Sequence, residues 1–198
     1  MMRPLARVLL GIPVLVLGLA GCGRPDPTEV HGTLLDPPMP SEGFSLTSAE
    51  GPVRAEDFRG RFVVLSFGYT SCPDVCPATL ARLAQAMRLL GDEADEVQVV
   101  FVSVDPERDS PERATTYAAG FDERFVGVSG TSGEVAEVAD AFSIFYARAE
   151  SDSEAGYLVD HTATTIVLDP AGNTRLLWSH GTDAEAMAAD LRALLAVS

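Results

Sequence analysis

The sequence predicts an α/β protein in which helices flank a central mixed β-sheet. Two observations support this fold class. Along residues 44–198, apolar runs of strand length alternate with segments whose apolar residues have helical spacing. The last elements are two adjacent strands around a turn-rich segment, followed by one more helix. Strands that alternate with helices and end in a hairpin plus a helix are typical of the thioredoxin-like sandwich.

Seven segments have the length and composition of β-strands. Residues 61–69 and 97–104 are near-continuous apolar runs, as expected of central strands that are buried on both faces. The last two predicted strands flank residues 169–173, whose proline, glycine and asparagine predict a hairpin connection. The shorter predicted strands are 44–47, 125–128, 144–147, 163–168 and 174–178.

Four segments predict helices, and their ends carry the expected residues. Pro77 opens the first helix, apolar residues follow at helical spacing, and Gly91 ends it. Asp109 and Ser110 precede a proline and are expected to cap the second helix. The third helix covers residues 132–142, and a threonine-aspartate pair at 182–183 caps the last one, which continues through residue 195.

Residues 1–21 predict a lipoprotein signal peptide. The first seven residues carry two arginines and no acid, and residues 8–19 are almost wholly apolar. Leu-Ala-Gly precedes Cys22 in the pattern of a bacterial lipobox, so cleavage is expected before Cys22 and lipid on its thiol. An ordinary secretory signal cut nearby is the alternative. A lipid at this position anchors a chain to a membrane without spanning it.

Residues 22–43 predict a lipidated cysteine followed by a proline-rich tether. Five of the 13 prolines of the chain lie between positions 25 and 40, and apolar periodicity is weak there. The folded domain is therefore expected to comprise residues 44–198, which is long enough for one hydrophobic core.

The charge of the chain argues against one class of partner. The formal net charge is −15 at pH 7. A surface with this excess of acid repels phosphate backbones, so a role in nucleic-acid binding is not expected.

Cys72 and Cys76 are the two cysteines that remain if Cys22 carries lipid. They lie between the predicted strand 61–69 and the helix that Pro77 opens. A helix start stabilises an anion, so we expect thiolate, the form that binds metal. The four-residue spacing would place both sulfurs on one helical face, where they can share an ion. A plain disulfide or two inert buried thiols are the alternatives.

A third metal ligand is expected from His161. Two thiolates suit monovalent copper, which accepts two or three ligands. His161 precedes the predicted strand 163–168, and in a thioredoxin-like sandwich the loop entering that strand lies against the cysteine motif. Asp160 is expected either to orient the imidazole ring or to be solvated. His180 is interpreted as a surface or turn histidine.

Three blocks of sequence resemble the SCO/SenC/PrrC family: FGYTSCPDVCP at residues 67–77, FVSVDPERDSP at 101–111 and DHT at 160–162. The resemblance covers about residues 44–196. It implies a thioredoxin-like domain that binds one copper ion, as Cu(I) or Cu(II), through Cys72, Cys76 and His161. These three ligand positions show no departure from the family pattern.

The same resemblance implies a function and partners. Members of the family serve assembly of the CuA centre in cytochrome c oxidase subunit II, as copper metallochaperones, as thiol reductases of the CuA cysteines, or as both. A copper donor chaperone is a second implied partner. With the lipid anchor, this places the chain in the bacterial cell envelope, facing the periplasm or extracytoplasmic space, and the oxidase partner favours the inner membrane.

Other functions remain open from the sequence. A thiol-disulfide oxidoreductase would use Cys72 and Cys76 as a redox-active disulfide, although such enzymes typically have a CxxC pair and a proline where Thr162 and Ala163 stand here. A peroxiredoxin-like peroxidase would need an arginine near one cysteine, and the sequence does not locate it. A redox or copper sensor of the envelope would share every ligand and differ only in its partner.

Overall fold

The computed structural model describes residues 30–150 and 156–197. The predicted signal peptide and the lipidation site at Cys22 lie outside these residues. Within the described part of the chain, none of the helices combines the length and the apolar character needed to cross a bilayer.

A six-stranded mixed sheet forms the centre of the domain and confirms the predicted fold class. Its six strands are β1 (Thr33–Met39), β4 (Phe62–Gly68), β5 (Val97–Ser103), β6 (Val126–Val128), β9 (Thr165–Leu168) and β10 (Thr174–Trp178). They lie in the order β1-β10-β9-β4-β5-β6. Strands β4, β5 and β6 are parallel, whereas β9, β10 and β1 join by antiparallel pairing.

In the described residues, two small sheets and four α-helices complete the fold. Strands β2 (Ser45–Ser48) and β3 (Gly51–Arg54) form one hairpin, and β7 (Tyr146–Ala149) and β8 (Leu158–His161) form the other. The helices are α1 (Val75–Leu90), α2 (Pro111–Ala119), α3 (Ser132–Ala141) and α4 (Ala184–Leu195).

The central strands alternate their side chains between two hydrophobic cores. Val64 and Phe101 belong to the core that includes residues of α1, α2 and α4. Val63 and Val100 belong to the second core, which includes residues of α3 and also Cys76. Burial on both faces explains why β4 and β5 are continuous apolar runs. It also fixes their register, because a shift by one residue would exchange the two faces.

The predicted tether is wrong for residues 33–39, which form β1 at the edge of the main sheet. Thr33 and Leu34 pair with β10, and the register is irregular between Leu34 and Met39. Pro37 and Pro38 lie inside this strand, and proline lacks the backbone donor that a central strand needs. An edge strand tolerates it, because one side of the strand needs no partner. The prolines therefore give a strand the composition of a linker.

Candidate metal centre

Cys72 and Cys76 lie where β4 passes into α1, but they do not share one helical face. Helix α1 begins at Val75, two residues earlier than predicted, so Cys76 lies in its first turn and Cys72 lies in the preceding loop. The Cys76 backbone N–H donates to Cys72 Sγ at 3.4 Å. The Cys72 sulfur therefore accepts from the N-terminal amides of the helix, which is the stabilisation expected of a thiolate at a helix start.

His161 reaches the thiols from the other side. It is the last residue of β8, and its Nε2 lies 3.5 Å from Cys76 Sγ. Its Nδ1 lies 3.1 Å from the Thr162 carbonyl oxygen. The Thr162 carbonyl, not Asp160, therefore orients the ring. Asp160, which was predicted either to orient the ring or to be solvated, is exposed. The Tyr69 ring and the imidazole form an edge-to-face pair with a centroid distance of 6.1 Å and an interplanar angle of 89°.

The two thiols have opposite ionisation. A hydrogen bond from the Cys76 thiol lowers the pKa of Cys72 to about 3, and hydrogen bonds from His161 and from the backbone at Cys76 and Asp74 act in the same direction against burial. The pKa of Cys76 is raised, first by its hydrogen bond to Cys72 and then by burial. The pair therefore holds one thiolate and one thiol, and both are free cysteines.

A buried carboxylate holds the loop that carries Cys72. Asp109 accepts hydrogen bonds from the Thr70 backbone N–H at 2.8 Å and from the Thr70 hydroxyl at 2.5 Å. It also accepts from the Ser103 hydroxyl at 2.7 Å. The prediction that Asp109 helps to cap α2 is wrong, because the hydroxyl of Ser110 caps that helix. Arg113 covers the loop from outside by donating to the Thr70 hydroxyl at 2.7 Å.

Gly68 provides the space for the Cys76 sulfur. A Cβ atom at this position would lie 2.7 Å from Cys76 Sγ and 3.1 Å from Cε2 of Phe101. The first distance is well inside van der Waals contact, so a side chain at the end of β4 would displace the thiol. The close approach therefore requires glycine here.

An open cleft of about 240 Å³ lies beside Cys72 and His161. Cys72 is half-buried, while Pro73 and Asp74 at the rim are exposed. A second macromolecule can thus reach Cys72 more readily than the buried Cys76. The cleft is lined by Tyr69, Cys72, Pro73, Asp74, Val75, Leu158, Val159, Asp160, His161 and Ala163.

The donor set fits a soft metal ion. Two cysteine sulfurs and one neutral imidazole nitrogen are ligands for Cu(I), and a d¹⁰ ion accepts such low coordination. In residues 30–150 and 156–197, no three His, Cys, Asp or Glu side chains are already arranged as a complete metal site. Of the expected ligand atoms, Cys76 Sγ and His161 Nε2 are in close contact, 3.5 Å apart.

The fold and the site together define a thioredoxin-like dithiol protein with a histidine that faces the thiols. The sequence model of the SCO1/SenC family matches residues 35–196, so the chain belongs to this family. The mitochondrial protein SCO2 homolog from Bos taurus is 36% identical over 152 residues. That match covers 75% of this chain and 57% of the relative, so the chain spans little more than half of the relative's length.

Solved structures agree with this assignment. Apo Sco1 from Thermus thermophilus has 44% sequence identity and a TM-score of 0.76, and the match covers 84% of this chain and 97% of that chain. ScoI from Bradyrhizobium japonicum, solved with copper bound, has 34% identity and a TM-score of 0.71, with 78% and 98% covered.

Sequence reasoning singled out both thiols and the imidazole, and the structure brings them together: Cys76 contacts Cys72 and His161, and the latter two line the cleft. It missed Asp109 and Gly68. Asp109 lies in the block at 101–111, and a position beside a helix start gave it a simpler explanation. Gly68 directly follows the apolar part of a buried strand, where glycine is a signal of close approach that could have been used.

Proposed function

We propose that this chain binds one copper ion as cargo through Cys72, Cys76 and His161 and helps to assemble the CuA centre of cytochrome c oxidase subunit II. The distance of 3.5 Å between Cys76 Sγ and His161 Nε2, beside the Cys72 thiolate, carries the proposal. The copper-bound relative from Bradyrhizobium japonicum supports the choice of metal. The proposal includes an adjustment of the side chains of Cys72, Cys76 and His161, so that all three reach the ion when it is bound.

The residues divide the work of binding and release. Cys72 offers a thiolate before copper arrives, whereas Cys76 must lose a proton, so binding releases protons. His161 can donate its Nδ1–H to the Thr162 carbonyl and offer the lone pair of Nε2 to the ion, and the hydrogen bond from the ring to the Cys72 thiolate is then given up. The half-buried Cys72 lies at the open side of the cleft. Copper transfer therefore proceeds by exchange of thiolate ligands with a donor chaperone or with subunit II.

Anaerobic titration of the purified mature chain with Cu(I) and aerobic titration with Cu(II) test this proposal. Cys72→Ser and Cys76→Ser are expected to abolish stoichiometric binding, because two-thiolate ligation is lost. His161→Ala should retain weakened Cu(I) binding and lose most Cu(II) affinity. His180→Ala is the matched control, since His180 is exposed and should bind copper as wild type does. Equal binding by the double cysteine variant and the wild type would refute the proposal.

The cellular role has a separate test. Deletion of the gene should lower oxidase activity and the CuA content of subunit II, and added copper should restore part of both. The Cys72→Ser variant should behave as the deletion does, while His180→Ala should complement it. Normal CuA content in the deletion strain would remove the assembly role and leave copper binding in place.

The asymmetry of the two thiols favours a second candidate function, reduction of a disulfide in a partner. The Cys72 thiolate would attack one sulfur of the partner, and the Cys76 thiol would resolve the mixed disulfide. The products are a Cys72–Cys76 disulfide and two partner thiols, and an external thiol reductant must regenerate the pair. Catalytic reduction of insulin at a rate comparable to thioredoxin would favour this function over copper delivery, while an absence of turnover would remove general reductase activity.

Lipid attached to Cys22 is the proposed anchor in the cell envelope. The lipobox pattern at residues 19–22 supports it. Metabolic labelling with radioactive palmitate should mark the wild-type chain and leave Cys22→Ser unlabelled. The variant should also move from the membrane fraction to the soluble fraction, and a labelled variant would contradict the assignment.

A further inference from the structure

Tyr157 is held by contacts of its ring, its hydroxyl and its carbonyl oxygen, and it lies four residues before His161. The Tyr157 ring lies between two guanidinium groups, with Cζ of Arg108 at 3.7 Å and Cζ of Arg148 at 3.9 Å from its centroid. Its hydroxyl donates to Asp105 Oδ1 at 2.7 Å. Its carbonyl oxygen accepts from Nη1 of Arg108 at 2.9 Å.

Two of the groups that hold Tyr157 lie outside the β7–β8 hairpin, whereas Arg148 belongs to β7 of that hairpin. Asp105 and Arg108 follow β5, the strand next to the centre of the main sheet, and the Asp105 side chain is only 4% exposed. Nε of Arg108 donates to the second Asp105 oxygen, so the carboxylate and the guanidinium hold each other in place.

Arg108 also lies next to the cysteine side of the site. Its Cζ is 5.5 Å from the centroid of the Tyr69 ring. Tyr69 precedes the cysteine loop and packs edge to face with the His161 imidazole. The guanidinium group of Arg108 therefore contacts both halves of the site, the cysteine loop through Tyr69 and the histidine strand through Tyr157.

The strand that carries His161 needs such an attachment. Strands β7 and β8 form a two-stranded sheet of their own, and an isolated hairpin of this size is marginally stable in water. Val159 anchors β8 by inserting its side chain into the core. An apolar contact resists withdrawal of the strand but sets direction poorly, whereas the stacking of the Tyr157 ring between two guanidinium groups, together with its hydrogen bonds, fixes the direction in which β8 starts.

We propose that Tyr157 is a positioning residue that sets the approach of His161 to Cys72 and Cys76. The inference rests on the proposed function, because it treats His161 as a copper ligand. Tyr157 does not touch the ion. It acts by holding the start of β8 against Asp105 and Arg108, so that the imidazole at the end of the strand stays within reach of the thiols.

A double-mutant cycle with His161 tests the proposal on the mature chain. Tyr157→Leu should raise the Kd for Cu(II) by about 10- to 100-fold, the usual effect of removing a group that orients a metal ligand. It should also weaken the nitrogen hyperfine coupling in the Cu(II) electron paramagnetic resonance spectrum. In the His161→Ala background, the same change should have almost no further effect on Kd. Full additivity of the two losses, or a wild-type Kd for Tyr157→Leu, would overturn the proposal.

Two further variants separate positioning from loss of stability. Phe121→Leu removes a partly buried aromatic side chain from the core on the other face of the sheet and should leave Cu(II) affinity unchanged. Tyr157→Phe keeps the ring between the two guanidinium groups and loses the hydroxyl, with its hydrogen bond to Asp105 at 2.7 Å and its longer one to Glu107 at 3.5 Å. It should therefore restore most of the affinity lost in Tyr157→Leu.

Hydrogen exchange measured without copper tests the positioning role of Tyr157 independently of the proposed function. The amides of residues 157–163 should exchange faster in Tyr157→Leu and about 3- to 10-fold faster in Tyr157→Phe, the range for one net hydrogen bond. Phe121→Leu should leave them unchanged. If Tyr157→Leu does not fold, Tyr157→Phe decides, and unchanged exchange overturns the positioning role. If the wild type binds no copper, the proposed function fails and this measurement alone decides.

Discussion

At the scale of single residues, the site depends on an asymmetry between two chemically identical side chains. Cys72 lies in a loop and accepts a backbone hydrogen bond from the helix start, whereas Cys76 is buried against the second core. A negative charge on one sulfur disfavours a second charge beside it. Position and burial thus decide which thiol ionises, and the half-buried one is also the one that a partner can reach.

The lowered pKa of Cys72 predicts how fast this thiol reacts with iodoacetamide at different pH values. Since the pKa is lowered to about 3, the thiolate is fully present above about pH 5 and is lost only as the pH falls toward 3. The alkylation rate constant of Cys72 should therefore be level between pH 5 and 8. An ordinary cysteine would gain about tenfold per pH unit over this range.

Peptide mass spectrometry of the alkylated chain measures this rate site by site. The same chain in guanidinium chloride is the control, and there Cys72 should recover the steep pH dependence of an unfolded cysteine. A tenfold rise per pH unit in the folded chain would show that the helix start and His161 do not stabilise the thiolate.

At the residue level, the sequence singled out the two thiols and the imidazole that the structure brings together, and it missed residues that support them. Cys72 and His161 were singled out because the predicted elements place a thiol and an imidazole beside strand ends, and both groups bind copper. Asp109 and Tyr157 were missed because their partners lie 39 and 52 positions away in the sequence. A local pattern contains no information on such contacts, and Asp109 beside a helix start already had a sufficient local explanation.

At the scale of elements, burial decided what could be predicted. Strands β4 and β5 are covered on both faces, so their sequence is almost purely apolar and their assignment was secure. Strand β8 has four residues, of which only Val159 is buried. The sequences of β8 and of the proline-containing β1 have the residue pattern of a loop, so neither segment was predicted as a strand.

The attachment of β1 gives a prediction at this scale. Asp190 of α4 has no exposed side-chain surface, and it accepts hydrogen bonds from the backbone N–H groups of His31 and Gly32 at 2.7 and 3.0 Å. Trp178 Nε1 donates to the same carboxylate at 2.8 Å. Asp190→Ala removes the acceptor for the buried Trp178 Nε1–H and for two partly buried backbone donors. We expect it to lower the free energy of unfolding by about 3 kcal/mol or more.

Urea denaturation and hydrogen exchange together check this prediction. Exchange should increase most at residues 30–39, since β1 loses its attachment to α4, and less in β4. Glu185→Gln, an exposed change on the same helix, is the control and should alter stability by less than about 0.5 kcal/mol. Equal loss of protection in β1 and β4 would contradict a local role for Asp190.

At the scale of the whole molecule, the sheet topology relates the N-terminus to the metal cleft. Thr33 at the start of β1 pairs with Leu177 near the end of β10, and Trp178 pairs with Thr165 at the start of β9. Thr165 in turn pairs with Ser66 near the end of β4, which leads into the cysteine loop. The described part of the chain therefore begins at the same end of the strands as the site, and the distance across the sheet from β1 to β4 is three strand spacings, or about 14 Å.

This placement, together with the proposed lipid on Cys22, keeps the cleft near the membrane. Even when fully extended, the segment from Cys22 to Val30 reaches no more than about 30 Å. A partner domain held at the same membrane surface then meets the cleft at a high effective concentration. Inserting a 20-residue glycine-serine linker after residue 29 should lower that concentration by roughly sixfold, since it falls with about the −3/2 power of tether length.

The linker variant should bind copper in vitro with the wild-type Kd, because no residue of the site changes. In cells at limiting copper, it should load less CuA than the wild type does, and added copper should reduce the difference. CuA content measured in membranes from the two strains gives the comparison, with Cys22→Ser as the unanchored extreme. If the linker variant loads CuA as the wild type does while Cys22→Ser fails, the anchor acts only by localisation and the short tether has no role in delivery.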